Sequence, residues 1–229
     1  MLIEVADQAP GRAGDVSARR GIHSPPLGGA ARVRAVSLLA ALAAHDPATA
    51  EHSRETAAMA RAVGSRLGFE PRALAELEGA ALLHDVGKLL VPPQTLYRPG
   101  PLGPRDWELI ERHPDFGARL LGGLMDLEGV ARIVLEHHER PDGRGYPYGL
   151  AAPAICAGAG VVAACDAFEA MTSERPYCTA MSTQEAIDEL ERGAGTQFDP
   201  ASVEAVIEVV AGVRGGDGLA YRPPACVAG

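Results

Sequence analysis

The apolar residues of this chain recur at helical spacing, and no stretch alternates convincingly with the period of two that a half-buried strand requires. In the segment that begins at Pro71, the residues Leu74, Leu77, Ala81 and His84 follow one another at steps of three or four. Pro71 suits the first turn of a helix, because no backbone donor is needed there. The pattern therefore predicts an all-α fold.

This helical pattern extends over residues 31–211, which we expect to form a single folded domain. The flanking segments 1–30 and 212–229 are rich in Gly and Pro without periodicity, which predicts a flexible leader and a flexible tail. Within the domain the pattern predicts helices at 31–45, 49–67, from 71 onward, 104–112, 115–122, around 130–138, 153–173, 182–192 and 200–211.

The charge balance restricts the partners of the chain. Its 229 residues include 21 Lys and Arg against 30 Asp and Glu, a net charge of −9. Such a chain repels nucleic-acid polymers and anionic membranes, so any phosphate ligand must be held by local positive charge or by metal. The apolar stretch 35–44 is too short to span a bilayer, and the four cysteines form no CxxC pair. We therefore expect a cytoplasmic protein with reduced thiols that binds neither nucleic acid nor membrane.

Ionisable side chains occupy apolar positions of four separate predicted helices, namely His52, His84, His137 and Asp166. Burying an unpaired imidazole or carboxylate is costly. A single buried histidine is most simply explained as a core residue that is hydrogen-bonded to a carbonyl. Four such residues on separate helices instead favour a common partner, and a buried metal centre would provide one.

Adjacent ligand-type residues strengthen the metal hypothesis. The dipeptides His-Asp at 84–85 and His-His at 137–138 place two side chains about 100° apart on a helix, so both can reach one metal site. Either dipeptide alone is common on protein surfaces, whereas an ordered set is a strong signal. The candidate metal ligands are His52, His84, Asp85, His113, His137, His138 and Asp166.

Five motifs occur in a recognisable order: HDVGK at 84–88, HPDFG at 113–117, HHERPDGRGYP at 137–147, CDAFEAMTSERPY at 165–177 and FDP at 198–200. With these motifs the chain resembles the HD-GYP family, a branch of the HD metal-dependent phosphohydrolases, over about residues 46–210. The resemblance implies an HD-type helical bundle with a buried multinuclear metal site. It also implies hydrolysis of cyclic di-GMP to linear pGpG, with further cleavage to GMP left open.

Carried over residue by residue, the resemblance implies that all seven candidates bind metal and that Asp85 bridges two ions. Asp85 and Lys88 are then the expected catalytic residues. The loop around Gly145, Tyr146 and Pro147 (the GYP loop) would line the substrate groove, and the side chains of Lys88, Arg144 and Arg175 would hold phosphate oxygens. The expected substrate-binding residues are Lys88, Arg144, Gly145, Tyr146, Pro147 and Arg175.

Two divalent ions are expected rather than three. Many family members with a third metal carry Glu four residues before the first His, where this chain has Ala48, and a methyl group cannot ligate. Imidazole and carboxylate ligands without thiolate suit Fe, Mn, Ni or Zn, and the resemblance favours iron or manganese. Where the family often has a second Asp, this chain has Glu169, which we expect to be peripheral to the site.

The expected mechanism uses a hydroxide that bridges the two ions and attacks phosphorus in line. Lys88 is the only lysine among the 21 basic residues, so this position is expected not to accept Arg. It follows His84 by four residues, which on an α-helix directs it toward the metals. Trp107, at the start of a short predicted helix, is expected to be a core anchor rather than a base-stacking platform.

Two alternatives to a cyclic di-GMP phosphodiesterase are left open. One is an HD phosphohydrolase for another cyclic dinucleotide or a nucleotide, although the GYP motif argues against nucleotide polyphosphates. The other is a catalytically silent signalling module that binds nucleotide or protein, although the complete ligand set argues against it. A homodimer, or a sensor or signalling protein, is left open as the protein partner.

Overall fold

The computed structural model describes residues 29–123, 125–174 and 179–215. No strand occurs in these residues, where only two isolated bridges form, and the prediction of an all-α fold is confirmed. None of the helices in this part of the chain is long and apolar enough to cross a membrane. The α-helices are α1 (Gly29–His45), α2 (Pro47–Arg66), α3 (Pro71–Leu83), α4 (Pro93–Leu96), α5 (Pro104–Ile110), α6 (His113–Leu121), α7 (Glu128–Glu136), α8 (Ala157–Thr172), α9 (Thr183–Gly193) and α10 (Pro200–Gly215), with 3₁₀ helices at Val86–Leu90 and Met125–Leu127.

Helix α2 is the central element, because it packs against α3, α8 and α10. It begins with Pro47 in its first turn, and the carboxylate of Asp46 accepts a hydrogen bond from the backbone N–H of Thr49 at 3.1 Å. Met59 and Val63 on α2 are fully buried in the core. The packing of α2 on α8 brings His52 of the first helix to Asp166 of the second.

The 3₁₀ helix Val86–Leu90 lies directly against α6, with backbone touching backbone. A Cβ atom on Gly87 would lie 1.9 Å from the carbonyl oxygen of His113 and 2.6 Å from the backbone nitrogen of Gly117. Only glycine permits this approach, since every other residue carries a Cβ atom. The contact fixes Asp85, just before the 3₁₀ helix, beside His113 at the start of α6.

Two predicted helices end earlier than the periodicity indicated. Helix α3 ends at Leu83 and α7 ends at Glu136, so His84 and His137 follow the helices instead of lying on their apolar faces. Lys88 consequently lies in the 3₁₀ helix, where residues three apart are superposed along the axis, and it faces Asp85 rather than continuing a helix from His84.

Three further expectations concern Trp107, the predicted tail and the predicted leader. Trp107 is 51% exposed on α5, so its prediction as a core anchor was wrong. Helix α10 continues to Gly215, so the predicted flexible tail from 212 begins as helix; Gly212 costs a helix only about 1 kcal/mol relative to Ala. The rest of the predicted tail, and residues 1–28 of the predicted leader, lie outside the described residues.

The glycine contact predicts a large effect of one added methyl group. Gly87→Ala should lower the free energy of unfolding by at least about 2 kcal/mol, because α6 and the 3₁₀ helix must separate. Gly79→Ala on α3 is the matched control, since its Cβ would only touch a side-chain carbon of Val130 at 3.6 Å. The control should gain about 0.5–1 kcal/mol. Urea denaturation followed by circular dichroism measures both, and equal stabilities for the two variants would contradict the interpretation.

Candidate metal centre

The structure brings all seven predicted metal ligands together in one site, in which four are buried and three are partly buried. Within each of two groups of three residues, the candidate ligand atoms lie within 4.8 Å of one another. Asp166 adjoins the first group, with its Oδ1 2.7 Å from His52 Nε2. Their role as ligands stays a prediction, but their placement agrees with it. The first group is His52, His84 and Asp85, and the second is His113, His137 and His138.

Asp85 joins the two groups. Its Oδ2 lies 3.4 Å from His84 Nε2, and its Oδ1 lies 3.3 Å from His113 Nε2. The two carboxylate oxygens therefore face different groups of ligands, which is the arrangement that a carboxylate bridging two metal ions requires. Lys88 lies at the edge of the site, where its Nζ donates a hydrogen bond to Asp85 Oδ2 at 2.6 Å.

Helix ends orient three of the imidazoles. The Nδ1 atoms of His84, His113 and His137 lie 2.8, 2.7 and 2.7 Å from the carbonyl oxygens of the residues three positions earlier. These carbonyls belong to the last turns of α3, α5 and α7, where no further helical N–H follows to bond them. Each Nδ1 therefore donates its hydrogen to the helix end, which leaves Nε2 as the ligand atom facing the site.

The ends of α3 and α7 coincide with these bonds. The carbonyl of Ala81 accepts the His84 ring where α3 ends, and the carbonyl of Val134 accepts the His137 ring where α7 ends. The histidines are held by the helix ends, a feature that the hydrophobic periodicity of the sequence does not encode.

Two of the buried imidazole nitrogens in the site lack hydrogen bonds. Neither His113 Nε2 nor His137 Nε2 forms one within the part of the chain that the structure describes, although both rings are about 1% exposed. A buried polar atom left without a partner costs about 1–3 kcal/mol. A divalent cation coordinated at these atoms would remove that cost, so the residues present fit a metal centre.

The charges of the site suit a cation. Burial, with the neighbouring imidazoles, lowers the pKa of His113 and of His138 to about 3 and that of His137 well below its usual value. Burial alone would raise the pKa of Asp85, but Lys88 and the nearby imidazoles outweigh it and hold that pKa well below its usual range. Neutral imidazole and ionised carboxylate are the forms that bind metal.

His84 is the exception among the buried imidazoles. Burial lowers its pKa, but the carboxylates of Asp85 and Asp166 outweigh burial and raise the pKa to about 9. Asp166 itself has a lowered pKa, because its hydrogen bond to His52 and the adjacent imidazoles outweigh burial. In the metal-free site, a proton on His84 therefore balances part of the carboxylate charge that a metal ion would neutralise.

The GYP loop lies beside the second ligand group. The ring centre of Tyr146 is 4.7 Å from that of His138, and its backbone N–H donates to the carbonyl of His138 at 3.2 Å. Burial raises the pKa of the Tyr146 hydroxyl, which therefore stays protonated. A Cβ on Gly145 would lie 2.5 Å from backbone atoms of residues 138–140, so the loop can fold onto the ligand segment only with glycine there.

The structure describes two more of the predicted substrate-binding residues, Arg144 and Pro147. Arg144 is exposed on the loop, where its backbone N–H donates to Asp142 Oδ1 at 3.1 Å, and Pro147 is partly buried. Arg175 lies outside the described residues. Lys88 and Tyr146 are therefore the predicted substrate-binding residues whose side chains contact a predicted metal ligand within the described part of the chain.

Glu139 is a positioning residue that the sequence analysis missed. It is 3% exposed, and its two carboxylate oxygens accept hydrogen bonds from the backbone N–H groups of Tyr148 at 2.7 Å and Leu150 at 2.8 Å. It thereby holds the far end of the GYP loop against the segment that carries His137 and His138. Its place in the motif HHExxDGxGYP, directly after the two histidines, is the signal that could have revealed it.

The expectation that Glu169 is peripheral was wrong. Its side chain is 3% exposed, and its Oε2 contacts Nδ1 of His52 directly. Its Oε1 accepts a hydrogen bond from the hydroxyl of Ser173 at 2.5 Å. The signal in the sequence was its position three residues after Asp166, on the same face of a helix.

Comparisons with known proteins agree with this geometry. Residues 37–202 match the HD domain family. The chain is 35% identical over 166 residues to a cyclic di-GMP phosphodiesterase of Thermotoga maritima. The aligned region covers 72% of this chain and 45% of the relative. It is 37% identical over 172 residues to the cyclic di-GMP phosphodiesterase response regulator RpfG of Xanthomonas campestris pv. campestris, covering 74% of this chain and 46% of the relative.

A solved structure shares the fold. The crystal structure of a cyclic GMP-AMP specific phosphodiesterase of Vibrio cholerae superposes with a TM-score of 0.61 at 22% identity, covering 80% of this chain and 49% of the other. The expected HD-type helical bundle is thereby confirmed. The chain spans about half the length of the curated relatives described above.

The lowered histidine pKa values predict how the stability of the metal-free protein depends on pH. In the unfolded chain His113 and His138 take up protons near pH 6.5, whereas their pKa of about 3 keeps them neutral in the folded chain. The unfolded state binds more protons between these values, so the free energy of unfolding falls as the pH falls. Between pH 6.5 and 5 we expect a loss of about 1–2 kcal/mol for each histidine, measured by urea denaturation after chelation of metal.

His84 acts in the opposite direction and in another range. Because its pKa is raised to about 9, its contribution is complete below pH 6.5 and is lost as the pH rises toward 9.

The control for the loss of stability at low pH is His138→Gln. It removes one of the three imidazoles whose pKa is lowered, namely His113, His137 and His138, and should lose less stability between pH 6.5 and 5. A wild-type protein that is equally stable at both pH values would contradict the prediction.

Proposed function

Because the chain belongs to the HD domain family, and to its HD-GYP branch, we propose that it is a metal-dependent phosphodiesterase that hydrolyses cyclic di-GMP to pGpG. The observation that carries the proposal is the pair of ligand groups joined by the two oxygens of Asp85. Two bound divalent cations would supply a water of lowered pKa and would neutralise phosphate charge. The curated relatives named above are cyclic di-GMP phosphodiesterases, which supports this choice of substrate.

The residues of the chain prepare the site in three ways. Asp85 and Asp166 supply the negative charge that would hold cations in this largely buried site. The buried imidazoles around them exclude bulk water. Lys88, 29% exposed beside Asp85, can reach a phosphate oxygen next to the ions. Its charge would stabilise the additional negative charge that develops on the phosphate oxygens during attack.

Two ions per chain, rather than three, is part of the proposal. Ala48 offers no carboxylate, and the nearby Glu51 is 66% exposed and pairs with Arg54 at 2.8 Å. Both observations argue against a third metal ion held by a carboxylate from the turn of α2 that precedes His52. Iron or manganese is the proposed metal, with nickel and zinc compatible with the same imidazole and carboxylate ligands.

The GYP loop is the proposed wall of the substrate groove. Tyr146 lies against His138, so a base or ribose that contacts its ring would bring the adjoining phosphate to the metal site. Arg144 is exposed on the same loop and is proposed to hold a phosphate oxygen, with Arg175 in the same role. Local positive charge of this kind is needed because the chain has a net charge of −9.

A second candidate is a phosphodiesterase for a different cyclic dinucleotide. The observation that favours it is the shared fold of the cyclic GMP-AMP specific phosphodiesterase of Vibrio cholerae. The two substrates differ only in one base, so the same metal centre would serve both. Residues that contact the bases, rather than the ligands of the ions, would decide between them.

Hydrolysis of a panel of cyclic dinucleotides by protein of measured metal content tests the proposal. Wild-type protein should convert cyclic di-GMP to pGpG with two ions per chain. Asp85→Asn should abolish turnover and lower the metal content, because a bridging ligand loses its charge. Elemental analysis and chromatography of the products measure both effects.

The control for this experiment is Glu51→Gln, which makes the same change from carboxylate to amide at an exposed position. It should keep both activity and metal content. Near-normal activity and metal content in Asp85→Asn would contradict the role of Asp85. Turnover confined to another cyclic dinucleotide would establish the second candidate, and no turnover by metal-loaded wild type would favour a catalytically silent module.

Lys88→Arg tests whether the only lysine has a specific role. The variant keeps the charge and should keep the metals, but a planar guanidinium needs more room than an ammonium group beside Asp85. We expect kcat/KM to fall at least about tenfold, or roughly 1.4 kcal/mol of transition-state stabilisation. Lys88→Ala should lose more. Equal kcat/KM for Lys88→Arg and wild type at equal metal loading would contradict a catalytic role for Lys88.

A further inference from the structure

His52 differs from the other oriented imidazoles because it lies inside a helix. His84, His113 and His137 each bond a carbonyl at a helix end, but His52 is in the second turn of α2. The carbonyl three residues before it belongs to Thr49 and already accepts the hydroxyl of Ser53 at 2.9 Å. The ring of His52 therefore needs a partner from another element of the fold.

That partner is Glu169 on α8. Its Oε2 contacts Nδ1 of His52, while Oδ1 of Asp166, on the same helix, lies 2.7 Å from Nε2. The two carboxylates are three residues apart and therefore lie on one face of α8. Together they bracket the imidazole, with one carboxylate on each ring nitrogen.

Glu169 is itself fixed in place. Glu169 as a whole is 2% exposed. Its Oε1 accepts a hydrogen bond from the hydroxyl of Ser173, four residues later in the chain. A carboxylate that is buried and bonded in this way has few orientations available. It can therefore define the orientation of the ring that it contacts.

We propose that Glu169 is a positioning residue of the metal centre, which turns Nε2 of His52 toward the ion and strengthens His52 as a ligand. A carboxylate that accepts the second N–H of a metal-binding imidazole fixes its tautomer and raises its basicity, and the loss of such a partner commonly lowers metal affinity 10–100-fold. The inference rests on the proposed metal site and adds a residue to it. It concerns the first ligand group, where Asp166 and His84 are the neighbours of His52.

The experiment measures the affinity of metal-stripped protein for Mn²⁺ by competition with a chelator. Glu169→Ala should lower the affinity about 10–100-fold. Glu169→Gln keeps an oxygen that can accept the His52 N–H but loses the charge, so its affinity should lie between those of Glu169→Ala and wild type. The visible absorption bands of the Co²⁺-loaded variants should shift from the wild-type positions, since the orientation of one ligand changes.

Glu136 provides the matched control. It is also buried, but its oxygens accept hydrogen bonds from Arg132 at 2.9 Å and from the backbone of Cys156 at 2.6 Å, away from the imidazoles of the site. Glu136→Gln and Glu136→Ala should lower the stability of the metal-free protein and leave its Mn²⁺ affinity and Co²⁺ spectrum unchanged. Thermal unfolding of every metal-free variant separates loss of stability from loss of affinity.

The outcomes distinguish this inference from the proposed function. Wild-type protein that binds no Mn²⁺ or Co²⁺ would overturn both. Wild type that binds metal, with Glu169→Ala binding equally tightly, would overturn the role of Glu169 alone. Equal losses of affinity in the Glu169 and Glu136 variants would also overturn it, because the effect would then come from general destabilisation.

Discussion

The hydrogen bond from an imidazole to a carbonyl at the end of a helix is the interaction on which the candidate site depends. A helix leaves its last carbonyls without partners, and three histidines use them to fix their rings. Each bond lies at a helix end, satisfies a buried carbonyl and directs Nε2 into the site. Helices α3 and α7 both end where such a bond forms.

The same principle separates His52 from the others and accounts for the arrangement of α2 on α8. A histidine within a helix has no free carbonyl nearby, so its ring must be held from outside, and α8 supplies carboxylates to both nitrogens. The core contact between α2 and α8 is therefore also a contact between two proposed metal ligands, His52 and Asp166. The fold and the site are assembled by the same packing of helices.

The sequence predicted the fold class, and the seven residues that it marked as metal ligands lie together in the structure. They could be marked because polar residues at apolar helical positions are costly unless they share a partner. It could not predict which of these residues follow a helix instead of lying within it, since His84 and His137 continue the periodic pattern past the actual helix ends. The contact of Glu169 with the site was not predicted for a related reason. It is made with His52, 117 positions earlier in the chain. Periodicity reports which side of a helix is buried, and it does not report what the buried side chain touches.

The anchoring of the GYP loop has a consequence for the way in which two kinds of ligand would affect each other. The loop is bonded at Tyr146 to the backbone of His138 and at its far end to Glu139. The segment proposed to bind metal and the loop proposed to face the substrate therefore share one short piece of main chain. If a nucleotide on the Tyr146 ring favours one arrangement of this piece, it changes the affinity for an ion at His138 by some factor. Thermodynamic reciprocity then requires the ion to change the affinity for the nucleotide by the same factor.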